Sequence, residues 1–416
     1  MSIFKAYDIR GIYGDELTEE LAYNNGRAFV TFVKPKSVVI GHDMRPHSPP
    51  LCEALTRGIT ELGANVIDIG MVSTPMSYFA NGKLGAEASI IVTASHNPGQ
   101  WNGFKLCREA GIPISGATGI MDIERIVLDG TFAPPAATPG TVSHVDIKPQ
   151  YIEHIRSFAN ITTPLNVAID YANGMGIVEG IVLEGLFTSE SLFDDLDGTF
   201  PNHEANPLVE ETYEALQEKM KTGAFDFGIA FDGDADRVGF TDETGAVISM
   251  DMITTLIAQA ILQKEKGNIF YDLRSSWAAK EVIEENGGTP MMSRVGHAFI
   301  KAQMREADAL FAGELSGHYY FRENYFTESS ALAVIYIANI VSQSGKKLSE
   351  LVAPLKRYSP SGEINSTVAD PDAVFATLKA NYADGRQFEL DGFSVEYADW
   401  WFNVRSSNTE PLIRLN

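Results

Sequence analysis

Residues 88–98 read Ala-Ser-Ile-Ile-Val-Thr-Ala-Ser-His-Asn-Pro. A β-branched apolar run that stops at small residues and a proline predicts a buried strand over Ala88–Val92, followed by a loop at the edge of a sheet. Ser95 lies on that loop. A serine hydroxyl is a weak nucleophile at neutral pH, so a chemical role requires neighbours that move protons, and His96 and Lys105 are candidates. The alternative is a turn whose side chains bond only their own backbone.

The composition limits the class of protein. With 416 residues, the length predicts about three domains, and 44% hydrophobic residues suffice for several apolar cores. A net charge of −23 disfavours nucleic acid and anionic membranes as partners, because both require a basic surface. A small anionic substrate remains compatible, since a local cluster of arginine and lysine can bind it.

We expect the protein to be cytoplasmic. No apolar run approaches the roughly 20 residues that span a bilayer, and the first residues lack the charged-then-apolar order of a signal peptide. Cys52 and Cys107 are too few for a disulfide framework or a zinc site, which fits a reducing compartment.

Strand-like and helix-like segments alternate in three successive rounds, a pattern typical of parallel α/β sheets. In each round an early strand ends in an aspartate and the last strand ends in a polar loop. The aspartates are Asp43, Asp170 and Asp272, and the loops contain Ser95, Asp232 and Glu314. We therefore expect three related α/β domains whose functional loops leave equivalent sheet edges, where ligands of such sheets bind.

The composition shifts at three linkers, near 129–142, 241–245 and 358–362. The expected domains are 1–140, 141–243 and 244–355, followed by a smaller α+β unit at 356–416. The predicted strands cover 37–41, 64–69, 88–92, 165–169, 225–231, 268–271, 290–294 and 309–312, and the predicted helices include 16–32, 51–62, 277–286 and 370–382.

An aspartate loop follows the strand predicted at 225–231. Asp232, Asp234 and Asp236 alternate with small residues, so three carboxylates can converge on one hard cation. This arrangement suits Mg²⁺, which usually keeps water or phosphate oxygens as its other ligands. A calcium loop would require glycine where Arg237 stands, and a purely structural acidic turn is the remaining alternative.

Two further loops carry polar groups suited to a sugar phosphate. Glu314, Ser316 and His318 alternate on one loop and offer donors and acceptors to a polyhydroxylated ligand, although a solvated turn would have the same composition. A guanidinium and several neutral donors form a candidate phosphate loop, although an arginine there could equally make a structural ion pair. Its residues are Arg405, Ser407, Asn408 and Thr409.

These loops, in this order, resemble the four signature loops of the α-D-phosphohexomutase superfamily, and most closely those of bacterial phosphomannomutase and phosphoglucomutase. The matching segments are Thr93-Ala94-Ser95-His96-Asn97-Pro98, Asp232-Gly233-Asp234-Ala235-Asp236-Arg237, Gly313-Glu314-Leu315-Ser316-Gly317-His318, and Arg405 with Ser407-Asn408-Thr409. The resemblance covers essentially the whole chain. It implies three α/β domains with mixed sheets and a smaller fourth domain, in a heart-shaped arrangement around one cleft.

The resemblance also implies roles for individual residues. The implied catalytic residues are Ser95, His96, Lys105, Arg10 and Arg237. The implied Mg²⁺ ligands are Ser95, Asp232, Asp234 and Asp236. The implied substrate-binding residues are Tyr7, Arg274, His297, Glu314, Ser316, His318, Arg405, Ser407, Asn408 and Thr409.

The implied activity interconverts hexose 6-phosphate and hexose 1-phosphate, with mannose as the expected sugar. Phosphoserine at Ser95 would donate its phosphoryl group and give a hexose 1,6-bisphosphate, which would also act as an activator. Lys105, assisted by Arg10 and His96, would manage the proton, and Arg237 would offset charge together with the metal ion.

Two alternatives stay open. The enzyme could prefer glucose phosphates. The chain also ends at Asn416, soon after the phosphate loop, where members of the superfamily continue for some tens of residues. A fourth domain shortened in this way would leave an inactive sugar-phosphate-binding protein. A phosphatase is disfavoured, because the aspartate loop lacks the Asp-x-Asp-x-Thr pattern.

Overall fold

The structure is a computed structural model that describes residues 3–406 and 412–416. Its first sheet has six strands: β1 (Ile9–Ile12), β2 (Ser37–His42), β3 (Asn65–Met71), β4 (Ala88–Val92), β5 (Trp101–Arg108) and β6 (Val142–His144). The spatial order is β1-β5-β4-β2-β3-β6. The associated helices are α1 (Glu19–Val33), α2 (Ser48–Glu61), α3 (Thr74–Leu84) and α4 (Met121–Asp129).

The second sheet contains five strands: β7 (Asn166–Asp170), β8 (Thr188–Leu192), β9 (Phe227–Phe231), β10 (Val238–Thr241) and β11 (Val247–Ile248). Their order is β11-β10-β9-β7-β8. The helices of this part are α5 (Lys148–Arg156), α6 (Gly176–Leu183) and α7 (Glu214–Thr222).

The third sheet also contains five strands: β12 (Asn268–Asp272), β13 (Thr289–Ser293), β14 (Phe311–Gly313), β15 (Tyr319–Phe321) and β16 (Thr327–Glu328). Their order is β13-β12-β14-β15-β16. The helices are α8 (Met250–Lys264), α9 (Trp277–Glu285), α10 (His297–Glu306), α11 (Ser330–Ser344) and α12 (Leu348–Val352). Short 3₁₀ or π turns lie at Glu109–Gly111, Gly116–Ile120, Glu210–Tyr213, Arg322–Asn324 and Ala353–Leu355.

The fourth sheet is antiparallel throughout and carries one helix, α13 (Pro371–Asn381). Its strands are β17 (Ile364–Thr367), β18 (Arg386–Phe388), β19 (Phe393–Glu396), β20 (Trp401–Ser406) and β21 (Leu412–Leu415), in the order β17-β21-β20-β19-β18. It packs a small apolar cluster of its own, which includes Phe393, Val395 and Phe402.

The first three sheets share one topology, which confirms the predicted fold class. In each, a central strand (β2, β7 or β12) has parallel partners on both sides, and one partner (β4, β9 or β14) turns back into an antiparallel strand. The loops that contain Ser95, Asp232 and Glu314 are these turns. The pattern of strand ends that recurs in the three sequence rounds therefore reflects a repeated topology.

The predicted elements differ from the observed ones mainly at their ends. Strand β4 has the predicted bounds, whereas α2 begins at Ser48 because Pro49 and Pro50 are tolerated in a first helical turn. Helix α13 begins after Asp370, whose carboxylate accepts the backbone N–H of Ala373 at 3.0 Å. Strand β6, which begins at the end of the linker predicted near 129–142, pairs with β3 of the first sheet. Strand β11, which follows the linker predicted near 241–245, pairs with β10 of the second sheet.

The apolar core extends across the first three sheets. A single buried cluster includes Val39 and Phe79 near the first sheet, Phe231 in the second and Phe311 in the third. Within 3–406 and 412–416, no helix combines the length and the apolar character that crossing a bilayer requires.

Candidate active site

Ser95 lies buried in the loop between β4 and β5, which we call the serine loop (93–98). Its φ angle is +51°, a left-handed conformation that is uncommon for serine. Its Oγ donates to Oδ2 of Asp232 at 3.0 Å and lies 3.3 Å from Nδ1 of His96. The serine loop therefore contacts the aspartate loop (232–237) of the second sheet. The alternative interpretation of the serine loop, a turn whose side chains bond only their own backbone, is wrong.

Arg45, which was not among the predicted site residues, binds the backbone of the serine loop. Its guanidinium is fully buried and donates to four backbone carbonyls of this region, those of Ser95, Asn97, Pro98 and Trp101, at 2.6–3.0 Å. Its Nε donates to Asp43 at 3.2 Å. The Asp-x-Arg spacing after β2 was visible in the sequence, but bonds to carbonyl groups leave no trace in the residue types that receive them.

The three carboxylates of the aspartate loop are buried, and their ligand atoms lie within 4.8 Å of one another. Burial, and then the charges of Asp234 and Asp236, raise the pKa of Asp232 well above its ordinary value. Oδ2 of Asp234 accepts from Thr74 and Lys105, both at 2.6 Å, whereas its buried Oδ1 has no hydrogen-bond partner among the described residues. A buried carboxylate oxygen left in this state fits a cation ligand.

A close approach fixes the distance between the serine and aspartate loops. A Cβ atom on Gly233 would lie 2.3 Å from the carbonyl oxygen of Ser95. Any side chain at this position would therefore push the two loops apart. Only glycine, which has no Cβ atom, fits at this position between the two loops.

Lys105 and Arg10 lie on the paired strands β5 and β1, beside the two loops. Nζ of Lys105 lies 2.6 Å from Asp234 and 2.5 Å from Asp236. Burial lowers the pKa of Lys105, but these two carboxylates raise it by more, so the net shift is upward and the amine is protonated. Arg10 donates to Ala94 O at 3.1 Å and to the Asn97 side chain at 2.6 Å.

Two further predicted residues, His96 in the serine loop and Arg237 at the end of the aspartate loop, differ in charge. Burial, and then the charge of Arg237, lower the pKa of His96 well below its usual value, so this imidazole is neutral. Nε of the positively charged Arg237 lies 3.9 Å from Asp232 and 4.0 Å from Asp236.

The glutamate loop (313–318) reaches the same carboxylates through His318. Nε2 of His318 lies 3.2 Å from Asp236, and its Nδ1 lies 2.8 Å from Oγ of Ser316 and 3.4 Å from Glu314. Burial lowers the pKa of His318, but Asp236 and Glu314 raise it to about 9. Burial raises the pKa of Glu314, but hydrogen bonds from His318 and Tyr320 lower it to about 2. The loop therefore holds an ionised pair.

The remaining predicted residues form a second group towards the fourth sheet. The Tyr7 and His297 rings lie 5.6 Å apart, and Tyr7 donates to Val295 O at 3.4 Å. Arg274 pairs with Asp272. Burial, and then the charge of Arg274, lower the pKa of Arg405.

Arg405 is the described member of the predicted phosphate loop. Its NH2 donates to Glu363 at 3.1 Å, and its buried Nε has no hydrogen-bond partner among the described residues. A structural ion pair, the alternative role considered for this arginine, therefore engages NH2 of the guanidinium through Glu363. Ser407, Asn408 and Thr409 lie outside the described residues.

This architecture, with a buried serine facing three carboxylates and a separate cationic group near a fourth domain, defines the phosphohexomutase class. Profiles of the family "Phosphoglucomutase/phosphomannomutase" match the chain in four parts. Its alpha/beta/alpha domains I, II and III match residues 1–134, 149–245 and 249–358, and its C-terminal domain matches residues 363–416. The chain belongs to the phosphoglucomutase/phosphomannomutase family.

Individual relatives span nearly the whole chain. A phosphomannomutase of Salmonella montevideo is 41% identical over 430 residues, covering 100% of this chain and 94% of the relative. Phosphohexose mutases of Xanthomonas campestris pv. campestris (strain B100) are 43% identical over 422 residues, covering 99% and 94%. A crystal structure of a phosphoglucomutase/phosphomannomutase family protein from Burkholderia thailandensis superposes with a TM-score of 0.92 at 33% identity, covering 99% and 92%.

Proposed function

We propose that the protein is a phosphohexomutase that interconverts hexose 6-phosphate and hexose 1-phosphate, with mannose phosphates as the preferred substrates. The observation that carries this proposal is the contact between Ser95 Oγ and Asp232 inside a buried cluster of carboxylates. A serine in this position can exchange a phosphoryl group whose charge a bound cation offsets.

Mg²⁺ is the proposed cation, held by Asp232, Asp234, Asp236 and the oxygen on Ser95. It would supply electrostatic stabilisation of the transferring phosphoryl group. Oδ1 of Asp234, which has no hydrogen-bond partner in the described part of the chain, and the raised pKa of Asp232 support this assignment, since a positive charge would relieve both.

The chain's own residues carry the rest of the reaction. The free hydroxyl oxygen of the sugar attacks phosphorus, the bond from phosphorus to Ser95 Oγ breaks, and one proton passes from the sugar hydroxyl towards Oγ. Lys105 is protonated and buried beside the aspartate loop. It is proposed to donate a proton to Oγ as the bond to phosphorus breaks and, once neutral, to take up the proton of the sugar hydroxyl, with Arg10 and His96 as neighbours. After the hexose 1,6-bisphosphate turns around, its other phosphoryl group returns to Ser95 by the same exchange in reverse.

The two groups of residues suit the two ends of a hexose bisphosphate. We assign the sugar hydroxyls to the glutamate loop and the phosphate that is not transferred to Arg405, with Arg274, His297 and Tyr7 near it. Arg405 Nε, which has no partner among the described residues, and the unfavourable proximity of Arg405 to Arg274 support an anion there.

The sugar preference is testable in one assay. Mannose, glucose and glucosamine 1-phosphates are supplied separately, with and without a hexose 1,6-bisphosphate activator and with a chelator followed by Mg²⁺. We expect turnover that is highest with mannose, needs Mg²⁺ and increases with the bisphosphate. Higher kcat/KM with glucose would support the phosphoglucomutase alternative, and absent turnover by folded protein would support the inactive sugar-phosphate-binding alternative.

We also propose a cytoplasmic location. Cys52 and Cys107 are both buried and unpaired, which fits a reducing compartment. Export of the protein with an oxidised pair of cysteines would contradict this.

A further inference from the structure

The three aspartates that end the central strands make the same turn. Oδ1 of Asp43, Asp170 and Asp272 each accepts the backbone N–H two residues further on, at 3.0, 2.9 and 2.9 Å. In the first and third sheets, the residue at that position is an arginine, Arg45 or Arg274, whose guanidinium also donates to the aspartate. The second sheet has Ala172 instead, so its aspartate needs a cation from elsewhere.

His203 supplies that cation in the second sheet. Its Nε2 lies 3.2 and 3.1 Å from the two oxygens of Asp170, which is fully buried. Its Nδ1 lies 2.8 Å from the carbonyl oxygen of Glu204. A carboxylate and a carbonyl are both acceptors, so both ring nitrogens must donate and the imidazole is positively charged. The centroids of the Phe193 and His203 rings lie 5.2 Å apart, in an edge-to-face arrangement.

In the first and third domains the aspartate, directly or through its arginine, also contacts the functional loop that follows the neighbouring parallel strand. Arg45 links Asp43 to the carbonyl of Ser95 at 2.9 Å. Oδ2 of Asp272 accepts the backbone N–H of Leu315 in the glutamate loop at 3.2 Å. The equivalent loop in the second domain is the aspartate loop.

The contacts of His203 lead to the aspartate loop through the backbone. Its neighbour Ala205 accepts the N–H of Gly233 at 3.2 Å, and the carbonyl of Gly233 accepts the N–H of Met175 at 2.9 Å. Gly233 is thus held on both of its peptide groups, by the segment after His203 and by the segment after Asp170. Asn202 ties the same two segments together by donating to Asn173 at 2.7 Å.

We propose that His203, paired with Asp170, is a positioning residue that sets the three carboxylates of the aspartate loop for metal binding. The ion pair joins the two segments between which Gly233 is held, and Gly233 separates Asp232 from Asp234. This role rests on the proposed function only in identifying the carboxylates as metal ligands.

The test measures Mn²⁺ binding to the whole protein without any sugar phosphate, by electron paramagnetic resonance or calorimetry. His203→Gln keeps a side chain of similar length but cannot donate to both acceptors. We expect its dissociation constant for Mn²⁺ to rise about tenfold or more, as for partners that orient metal ligands. We also expect KM for the sugar phosphate at saturating Mg²⁺ to stay within about twofold of the wild-type value, since the cationic group near the fourth domain is untouched.

A matched control is available in the first sheet. His144 lies 3.1 Å from Asp68 in another histidine-aspartate pair, but its side chain is 77% exposed and it belongs to the first sheet. His144→Gln should leave Mn²⁺ binding unchanged. Wild-type affinity in His203→Gln, or an equal loss in His144→Gln, would overturn the proposal.

A measurement on the unmodified protein covers the case in which His203→Gln does not fold. Nitrogen-15 NMR at pH 7 should show both ring nitrogens of His203 protonated, and a neutral tautomer would overturn the proposal. These readouts need no turnover. A wild-type protein that binds Mn²⁺ but converts no hexose phosphate would contradict the proposed function alone.

Discussion

Oγ of Ser95 donates to Oδ2 of Asp232 across a distance of 3.0 Å, although 137 residues separate the two along the chain. The contact exists because the first and second sheets deliver equivalent loops to one place, and because Gly233 leaves room for the Ser95 carbonyl. A hydroxyl in direct contact with a carboxylate of a candidate metal cluster is well placed to carry a phosphoryl group beside the metal.

The first prediction concerns this hydroxyl. Ser95→Ala should lower kcat by at least about 10³-fold, because removal of a covalent nucleophile costs this much or more. Ser77→Ala is the matched control, since Ser77 is equally buried and its Oγ has no hydrogen-bond partner among the described residues. Mass spectrometry should find phosphate on Ser95 in the wild type. Near-normal turnover by Ser95→Ala would refute the mechanism.

The second prediction concerns the metal ion. Chelation should abolish turnover and Mg²⁺ should restore it, and Asp234→Asn should raise the Mg²⁺ concentration for half-maximal activity by about tenfold or more, because one charged ligand becomes neutral. Asp122→Asn, on the exposed face of α4, serves as the control. Turnover that is indifferent to the chelator would remove the metal from the scheme.

The sequence indicates those parts of the candidate site whose chemistry is confined to a short segment. Three aspartates at alternate positions are unusual enough to indicate a cation, and the apolar run before the serine loop gave the bounds of β4. Strands β6 and β11 have three and two residues, too few for any periodic pattern, and their partners are distant in sequence.

Arg45 and His203 were missed for a different reason. Arg45 donates to backbone carbonyl groups, which every residue type possesses, so the sequences that receive these bonds carry no corresponding signal. His203 pairs with an aspartate 33 residues away, a separation at which no local pattern links the two. The aspartates that end the central strands were visible as a repeated feature, but their cations come from two residues away in two domains and from 33 residues away in the third. Only the tertiary structure shows that these cations are equivalent.

The third prediction concerns pH and the buried Glu179 of α6. Its carboxylate accepts from Ser73 and, at 3.0 Å, from Tyr151. Burial raises its pKa to about 7, from an ordinary value of 4.5. A raised pKa stabilises the fold fully below the unfolded value, and this stabilisation is lost as the pH rises towards and through the folded value.

The free energy of unfolding of the wild type, relative to that of Glu179→Gln, should therefore fall by about 2 kcal/mol between pH 5.5 and pH 8. Urea unfolding of both proteins at the two pH values measures this difference. Glu218→Gln on the exposed side of α7 should show no such change relative to the wild type. A constant difference between wild type and Glu179→Gln across this range would contradict the prediction.

The last prediction concerns Arg405 at the end of β20. One side of its guanidinium donates to Glu363, while its buried Nε lacks a partner among the described residues, and Arg274 is close enough to lower its pKa. A substrate phosphate would satisfy Nε and separate the two positive charges.

Charge-assisted hydrogen bonds are worth about 1.5–3 kcal/mol each, which corresponds to roughly ten- to a hundredfold in affinity. Arg405→Ala should raise KM by about that factor for every hexose phosphate accepted, because the bound phosphate is present whichever end of the sugar faces Ser95. Hydrolysis of the phosphoserine by water should change far less, since it requires no bound sugar. Arg386→Ala removes an exposed arginine from β18, an edge strand of the same sheet, and should leave KM unaltered. An unchanged KM in Arg405→Ala would show that the ion pair with Glu363 is the whole function of this residue.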